Sequence, residues 1–287
     1  MKVALWATSI GDERFGKTLM RSHYKNTFLA LPDDITHRFR FILDTKVKGV
    51  DQSAFISEFS YLTVMDDRDK GVNAIWGRCV YESAACDLCV VMNDDVWLTP
   101  GWLYAVTDIM KRNPCLGIVG ISCDDRALEQ RMPDYRERWF SLNGELHDDF
   151  AAHRDMPVDY EPWTSGILWA VRPLAFLSVG GIDPGLWLSY GEMDMARKLW
   201  KAGWSCASIY YPLVFHYGGG SRLQHDKEGF CARVDEHAHN DCYRFEELYG
   251  SGHSHLLMPV WKEEVMASEL PELQYDPTPV ERLYAGR

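Results

Sequence analysis

The sequence predicts an α/β fold: a mostly parallel sheet flanked by helices. Three observations lead there. Short apolar runs of strand length recur along the chain, segments of helical periodicity separate them, and several runs finish in Asp or Asn. Strands that alternate with helices pair in parallel and are covered on both faces.

In chain order, Val3–Ala7 reads as the first strand and Lys17–Leu29 as a helix. Arg38–Asp44 is a second strand, with Phe39, Phe41 and Leu43 alternating, and Tyr61–Asp66 a third. Ala74–Ala85 is helical and Leu88–Met92 is the next strand. Leu103, Val106 and Ile109 recur at helical spacing, and Cys115–Ser122 is again a strand. From Asp124 to about residue 160 the chain is polar and weakly periodic, which reads as an insertion or mobile loop. Gly166–Val171 is a strand, a helix begins near Glu192, and "ASIYYPLVFH" (Ala207–His216) reads as one further strand. Residues 1–222 form the main domain. Residues 223–287 form a polar, His-rich, loosely helical extension with a Pro-containing tail, a place for acceptor binding.

Composition narrows the function. The 287 residues are 46% apolar and 25% charged, as expected of a globular protein. A formal charge of −12 offers no basic stripe, so extended nucleic-acid binding is disfavoured. No run reaches the ~18 apolar residues of a membrane helix, and the N-terminus reads as a strand rather than a signal peptide. Eight scattered Cys, several within apolar runs, suit a reducing cytoplasm.

Chemistry concentrates at the ends of the apolar runs. "DLCVVMNDDVWLTPGWL" carries Asn93, Asp94 and Asp95 directly after a buried strand. Ligands of an open α/β sheet bind at the carboxyl ends of its strands. Adjacent carboxylates there point to a bound divalent cation, a hard ion that prefers oxygen; a solvated Asx turn is the plain alternative. Asp44 ends the second strand. Glu192 and Asp194 sit at a helix start, where the dipole favours carboxylates and capping is the alternative. His216 ends an apolar run before three glycines. "CDLC" (Cys86–Cys89) reads as core thiols rather than a zinc or redox pair. His225, Cys231, His237, His239 and Cys242 could form a structural zinc site, though their spacings match no familiar pattern; an acceptor-binding lobe with incidental His is the alternative.

The order of these motifs resembles a GT-A glycosyltransferase, closest to the inverting, family 2-like group, from about Val3 to Ser221. "VVMNDDVWLTPGWL" stands where that group has its DxD strand, with Asn93 and Asp95 at the two motif positions. "GGIDPGLW" and "GEMDMARKLWKAGW" match its later acidic motif, and His216, Gly219 and Ser221 its late His/Gly/Ser motif. The resemblance implies a nucleotide-diphosphate sugar as donor and a glycan or other hydroxyl acceptor. It implies Mn²⁺ or Mg²⁺ at Asp95 and His216, Glu192 as the catalytic base, and Asp194 beside it. Thr8, Asp44, Arg78, Asn93, Asp94 and Gly166 would border the donor, although a surface ion pair competes for Arg78 and a strand start for Gly166. The departures are Asn93 for Asp and Glu192 for Asp at the base position. A nucleotidyltransferase and a non-catalytic sugar- or nucleotide-binding module are the alternatives. The first lacks a clear Gly-rich loop in "TSIGDERFGK", and the second leaves Glu192 without a task.

Overall fold

A computed structural model describes residues 1–28, 30–46, 50–66, 71–121, 158–164, 166–209, 214–218, 227–250 and 270–276, together with 278, 279 and 282. The strands are β1 (Lys2–Ser9), β2 (Thr36–Asp44), β3 (Thr63–Asp66), β4 (Leu88–Asn93), β5 (Val96–Leu98), β6 (Leu116–Ile121), β7 (Val158–Tyr160), β8 (Leu168–Val171), β9 (Ser205–Ile209) and β10 (Val214–His216). The helices are α1 (Glu13–Asn26), α2 (Ser53–Phe59), α3 (Gly71–Glu82), α4 (Trp102–Arg112), α5 (Pro173–Ser178), α6 (Gly191–Lys201) and α7 (Lys227–Tyr249).

Eight strands form one sheet in the order β3-β2-β1-β4-β8-β6-β9-β7. The run β3-β2-β1-β4 is parallel, as is β6 with β9, while β8 and β7 pair antiparallel with their neighbours. Alternation along the strands divides the core. Leu5, Ala7, Phe41, Leu43, Val90 and Met92 pack with α1, α2 and α4 on one face. Trp6, Ile42, Cys89 and Val91 pack with α3, α5 and α6 on the other. Such two-sided burial explains why the strands read as continuous apolar runs.

One expectation needs correction. "ASIYYPLVFH" is not one strand: β9 lies in the main sheet, while β10 pairs antiparallel with β5 in a separate ribbon. β9 and the first two residues of β10 are buried, and residues 210–213 between the two strands lie outside the described ones. The expected insertion or mobile loop lies outside the described residues as far as 157; its last residues, Val158–Tyr160, form β7 and pair with β9 at the sheet edge. Three residues are too few to show a period.

The helix of the C-terminal extension is tied into the domain, with Arg244, Asp241 and Tyr249 all bonded to residues between 183 and 194. The same loop presses on α3. Gly71 has φ +78°, and a Cβ there would lie 2.1 Å from the Trp187 carbonyl oxygen. Gly71→Ala is therefore expected to lower stability by about 1–3 kcal/mol, through left-handed strain plus displacement of that loop. A urea titration with unchanged m-value checks it.

Candidate active site

The site builds up at the carboxyl ends of the parallel strands, where Ser9, Asp44, Asp66 and Asn93 lie at the ends of β1, β2, β3 and β4. Thr8 aligns with Ile42 on one side and Asn93 on the other, so these ends stand side by side.

The carboxylates divide by task. Asp94 is buried and accepts a 2.5 Å hydrogen bond from the Ser9 hydroxyl, whose oxygen in turn accepts from Gly11 N. It ties the end of β4 to the turn after β1. Asp44 Oδ1 accepts from Lys46 N, an Asx turn, and its carbonyl accepts from Gln52 Nε2. Thr8 Oγ1 donates to the Met92 carbonyl at 3.3 Å. Arg78 donates to Asp66 Oδ2 at 3.0 Å and to the Met65 carbonyl. Asp66, 1% exposed, is thus the fixed partner of Arg78, at the end of the strand beside Asp44.

Asp95 and His216 come together through the ribbon. β5 and β10 pair so that His216 opposes Val96, and Tyr217 N donates to the Asp95 carbonyl. His216 Nε2 lies 3.1 Å from Asp95 Oδ1. Neighbouring ligands of an octahedral cation with bonds of ~2.1 Å stand roughly 3 Å apart, so this oxygen–nitrogen pair suits a divalent ion. Among the described residues no set of three or more His, Cys, Asp or Glu gathers to hold a metal, so remaining positions would fall to ligand oxygens and water. Gly219, Ser221, His225 and the Cys231 side chain lie outside the described residues. Of the C-terminal His/Cys set, His237 stacks on Trp187 at 3.8 Å and His239 packs edge-on against Tyr243. Cys89 is a core thiol, fully buried and pushed up to about 12 by that burial.

Glu192 is in the first turn of α6, after Tyr190, which holds a left-handed φ of 60°. The residue as a whole keeps intermediate exposure, yet its carboxyl is enclosed. Burial pushes its pKa up to about 7, only partly offset by its own backbone N–H. Its neighbour is Gly166: a Cβ there would stand 1.8 Å from Glu192 Oε1 and 2.8 Å from Trp76 Cη2. The next residue, Ile167, accepts the backbone N–H of Asn93. One hydrogen bond and one peptide step therefore connect the end of β4 to the wall of the Glu192 carboxyl.

Asp194 is placed differently from the expectation of a second catalytic carboxylate. It is fully buried and accepts from Asp183 N at 2.7 Å, Lys198 Nζ at 2.7 Å and the Tyr249 hydroxyl at 2.5 Å. Two positions along a helix turn roughly 200° around its axis, so Glu192 and Asp194 face apart. Asp194 is a holding group.

Sequence reasoning missed three contributors. Trp76 walls the carboxyl from α3. Asn73, 1% exposed, donates to the Leu186 and Ser189 carbonyls. Asp241 accepts three successive N–H groups of the loop before Glu192. Each is a single residue in an otherwise ordinary helix, and no spacing marks it.

No protein-family model matches the chain. An N-acetylglucosaminyl-diphospho-decaprenol L-rhamnosyltransferase of Mycobacterium tuberculosis is 28% identical over 178 residues, which is 53% of this chain and 56% of that protein. The chain thus spans just over half the length of this curated relative. Among solved structures, the mannosyltransferase PcManGT from Pyrobaculum calidifontis, in complex with GDP-Man and Mn²⁺, superimposes with a TM-score of 0.56 at 11% identity. The likeness covers 99% of this chain and 79% of that one. GalNAc-T7 with UDP, GalNAc and Mn²⁺ gives 0.50 at 14% identity, over 75% of this chain and 44% of that one. The architecture of this chain is the GT-A fold of the glycosyltransferases.

Proposed function

We propose that the chain is a metal-dependent, inverting glycosyltransferase. It moves a sugar from a nucleotide-diphosphate sugar to an acceptor hydroxyl. The observation that carries this reading is the enclosed Glu192 carboxyl. With a pKa of about 7, it is set to exchange a proton near neutral pH, beside the strand end that bears Asn93, Asp94 and Asp95. The rhamnosyltransferase relative, and the nucleotide ligands and Mn²⁺ of the two structural relatives, support it.

The nucleotide would lie along the strand ends by Thr8 and Asp44. Arg78, fixed on Asp66, contributes to the shape of that edge. Asp95 and His216 would hold Mn²⁺ or Mg²⁺. When bound, such a cation supplies positive charge against the leaving diphosphate. Gly166 leaves the space that the Glu192 carboxyl fills. The ionised Glu192 takes the acceptor's hydroxyl proton as that oxygen bonds to the anomeric carbon. The bond from that carbon to the diphosphate oxygen breaks, its electron pair leaves with the diphosphate, and the configuration inverts. The larger part of the free energy comes from fixed geometry and placed charge.

The first test is thermal stability against a panel of nucleotides and nucleotide sugars, with and without Mn²⁺. Ligand at a hundred times its Kd stabilises by about 2.7 kcal/mol, a shift of several degrees for a chain of this size. One diphosphate should shift the melting temperature only with metal, and Asp95→Ala should abolish that shift. A chain that responds to no diphosphate under either condition would count against the whole reading.

A further inference from the structure

The loop 183–190 delivers Glu192 to its place, and α7 grips that loop along its length. Asp241, 1% exposed, takes Trp187 N on Oδ1 at 2.8 Å and both Leu188 N and Ser189 N on Oδ2 at 2.7 Å. Three consecutive amides turned toward one carboxylate form a nest, a strongly anion-favouring arrangement of backbone dipoles. One helical turn on, Arg244 holds Asp183 with two bonds of 3.0 and 3.1 Å. At the helix end, the Tyr249 hydroxyl reaches Asp194, two residues beyond Glu192. Phe245 stacks on Tyr190, the left-handed residue two places before Glu192. Asn73 holds the opposite side of the loop through the Leu186 and Ser189 carbonyls.

We propose that Asp241 is a positioning residue for Glu192: it fixes residues 187–189 so that α6 starts with the Glu192 carboxyl against Gly166 and Trp76. The proposal rests on the reading of Glu192 as the base of a glycosyl transfer. It makes α7 a support of the site that acts through the loop before Glu192 rather than at the reacting atoms. Asp241 is the strongest point of the grip because its loss frees three amides at once, which then need water or a new partner.

The groups around Glu192 allow a readout that does not depend on turnover. The residues against its carboxyl, Trp76 and Gly166, do not titrate. Of the nearby charged groups, Asp194 is paired with Lys198 on its own helix, and Asp183 with Arg244 across from α7. Asp241 is held by backbone amides. Loss of the Asp241 charge alone lowers the Glu192 midpoint and loss of the Arg244 charge alone raises it, so a fall in both Asp241→Asn and Arg244→Gln reports movement of Glu192 itself.

The experiment compares the full chain with its Asp241→Asn variant in two measurements. In the first, transfer or hydrolysis of the donor sugar should fall about tenfold or more in kcat, with the donor KM within about twofold. In the second, the Glu192 carboxyl is followed by ¹³C NMR through a pH titration. Its midpoint should lie near 7 in the native chain and drop toward the ordinary ~4.3 in the variant. A native midpoint near 7 that Asp241→Asn leaves unchanged overturns the proposal whatever happens to turnover, because Asp241 then serves stability alone. A native chain that transfers no sugar, yet whose Glu192 midpoint moves with Asp241, sinks the glycosyltransferase reading and leaves the positioning claim standing. Arg244→Gln loosens the same grip from its more exposed side and should lower the midpoint by a smaller amount, against the rise that its lost charge alone would give; no fall there overturns the proposal, also where Asp241→Asn does not fold.

Discussion

Glu192→Gln is expected to abolish turnover while leaving donor binding intact. Loss of a positioned general base costs about 10²–10⁴ in kcat. The amide keeps the shape of the side chain against Gly166 and Trp76, so the metal-dependent thermal shift with the donor nucleotide should stay within a degree of the native chain. The pH profile follows from the same carboxyl. Glu192 acts as a base only when ionised, so kcat/KM should rise about tenfold per pH unit up to about 7 and level off above it. The sign for stability is the opposite. Because burial raises the folded pKa above that of the unfolded chain, Glu192 contributes most below pH ~4.5, and that contribution is lost as pH rises to about 7. Glu192→Gln should therefore gain on the native chain by about 1–3 kcal/mol between pH 4 and pH 8, the lower end reflecting its partial exposure. Paired urea titrations at the two pH values check this. An unchanged difference would mean that the carboxyl is as well solvated folded as unfolded.

Gly166→Ala should be the second most damaging change. Its Cβ would stand 1.8 Å from Glu192 Oε1 and 2.8 Å from the edge of the Trp76 ring. The ring is rigid, whereas the glutamate is the free end of a flexible side chain, so Glu192 yields. Displacement of a reacting group by about 1 Å costs on the order of 10²-fold, and that is the fall expected in kcat. The melting temperature should fall by only a few degrees, because the glutamate yields while the Trp76 ring shifts by a few tenths of an ångström, an overpacking cost of about 1 kcal/mol. A small loss of activity with a large loss of stability would reverse the assignment and make Gly166 a packing position. Together the two substitutions separate chemistry from space: one removes the proton acceptor in place, the other moves it intact.

Much of this arrangement was legible in the sequence, for reasons that can be named. β2 shows Phe39, Phe41 and Leu43 alternating, and β4 is a pure apolar run that stops at Asn93; both follow from burial of a parallel sheet on its two faces. The acidic residues after β4 and at the start of α6 stand out because charge at the edge of apolar sequence is locally conspicuous. Legibility fails where a role depends on distance along the chain. Asp194 resembled a partner of Glu192 because both are acidic and near the start of one helix, yet the helical turn sends them to different surroundings. Asp241 sits in a polar helix among Glu236, Asn240 and Glu246, with nothing to distinguish it until the fold sets three amides against it. The two halves of "ASIYYPLVFH" share one composition and separate only through their pairing partners.

The ribbon of β5 and β10 also governs the order in which the protein becomes itself. The parallel run β3-β2-β1-β4 draws all its strands from residues 2 to 93, so this half of the sheet can assemble from a continuous stretch of chain. Residues 241 to 249 grip the Glu192 loop across only 52 to 61 positions, whereas Asp95 meets His216 only when strands on either side of most of the remaining sheet have paired. Contacts so far apart along the chain form slowly, because the loop-closure entropy comes before the contacts that reward it. Folding should therefore reach a nearly complete sheet before any chemistry is possible, and a refolding experiment should recover tryptophan burial ahead of activity.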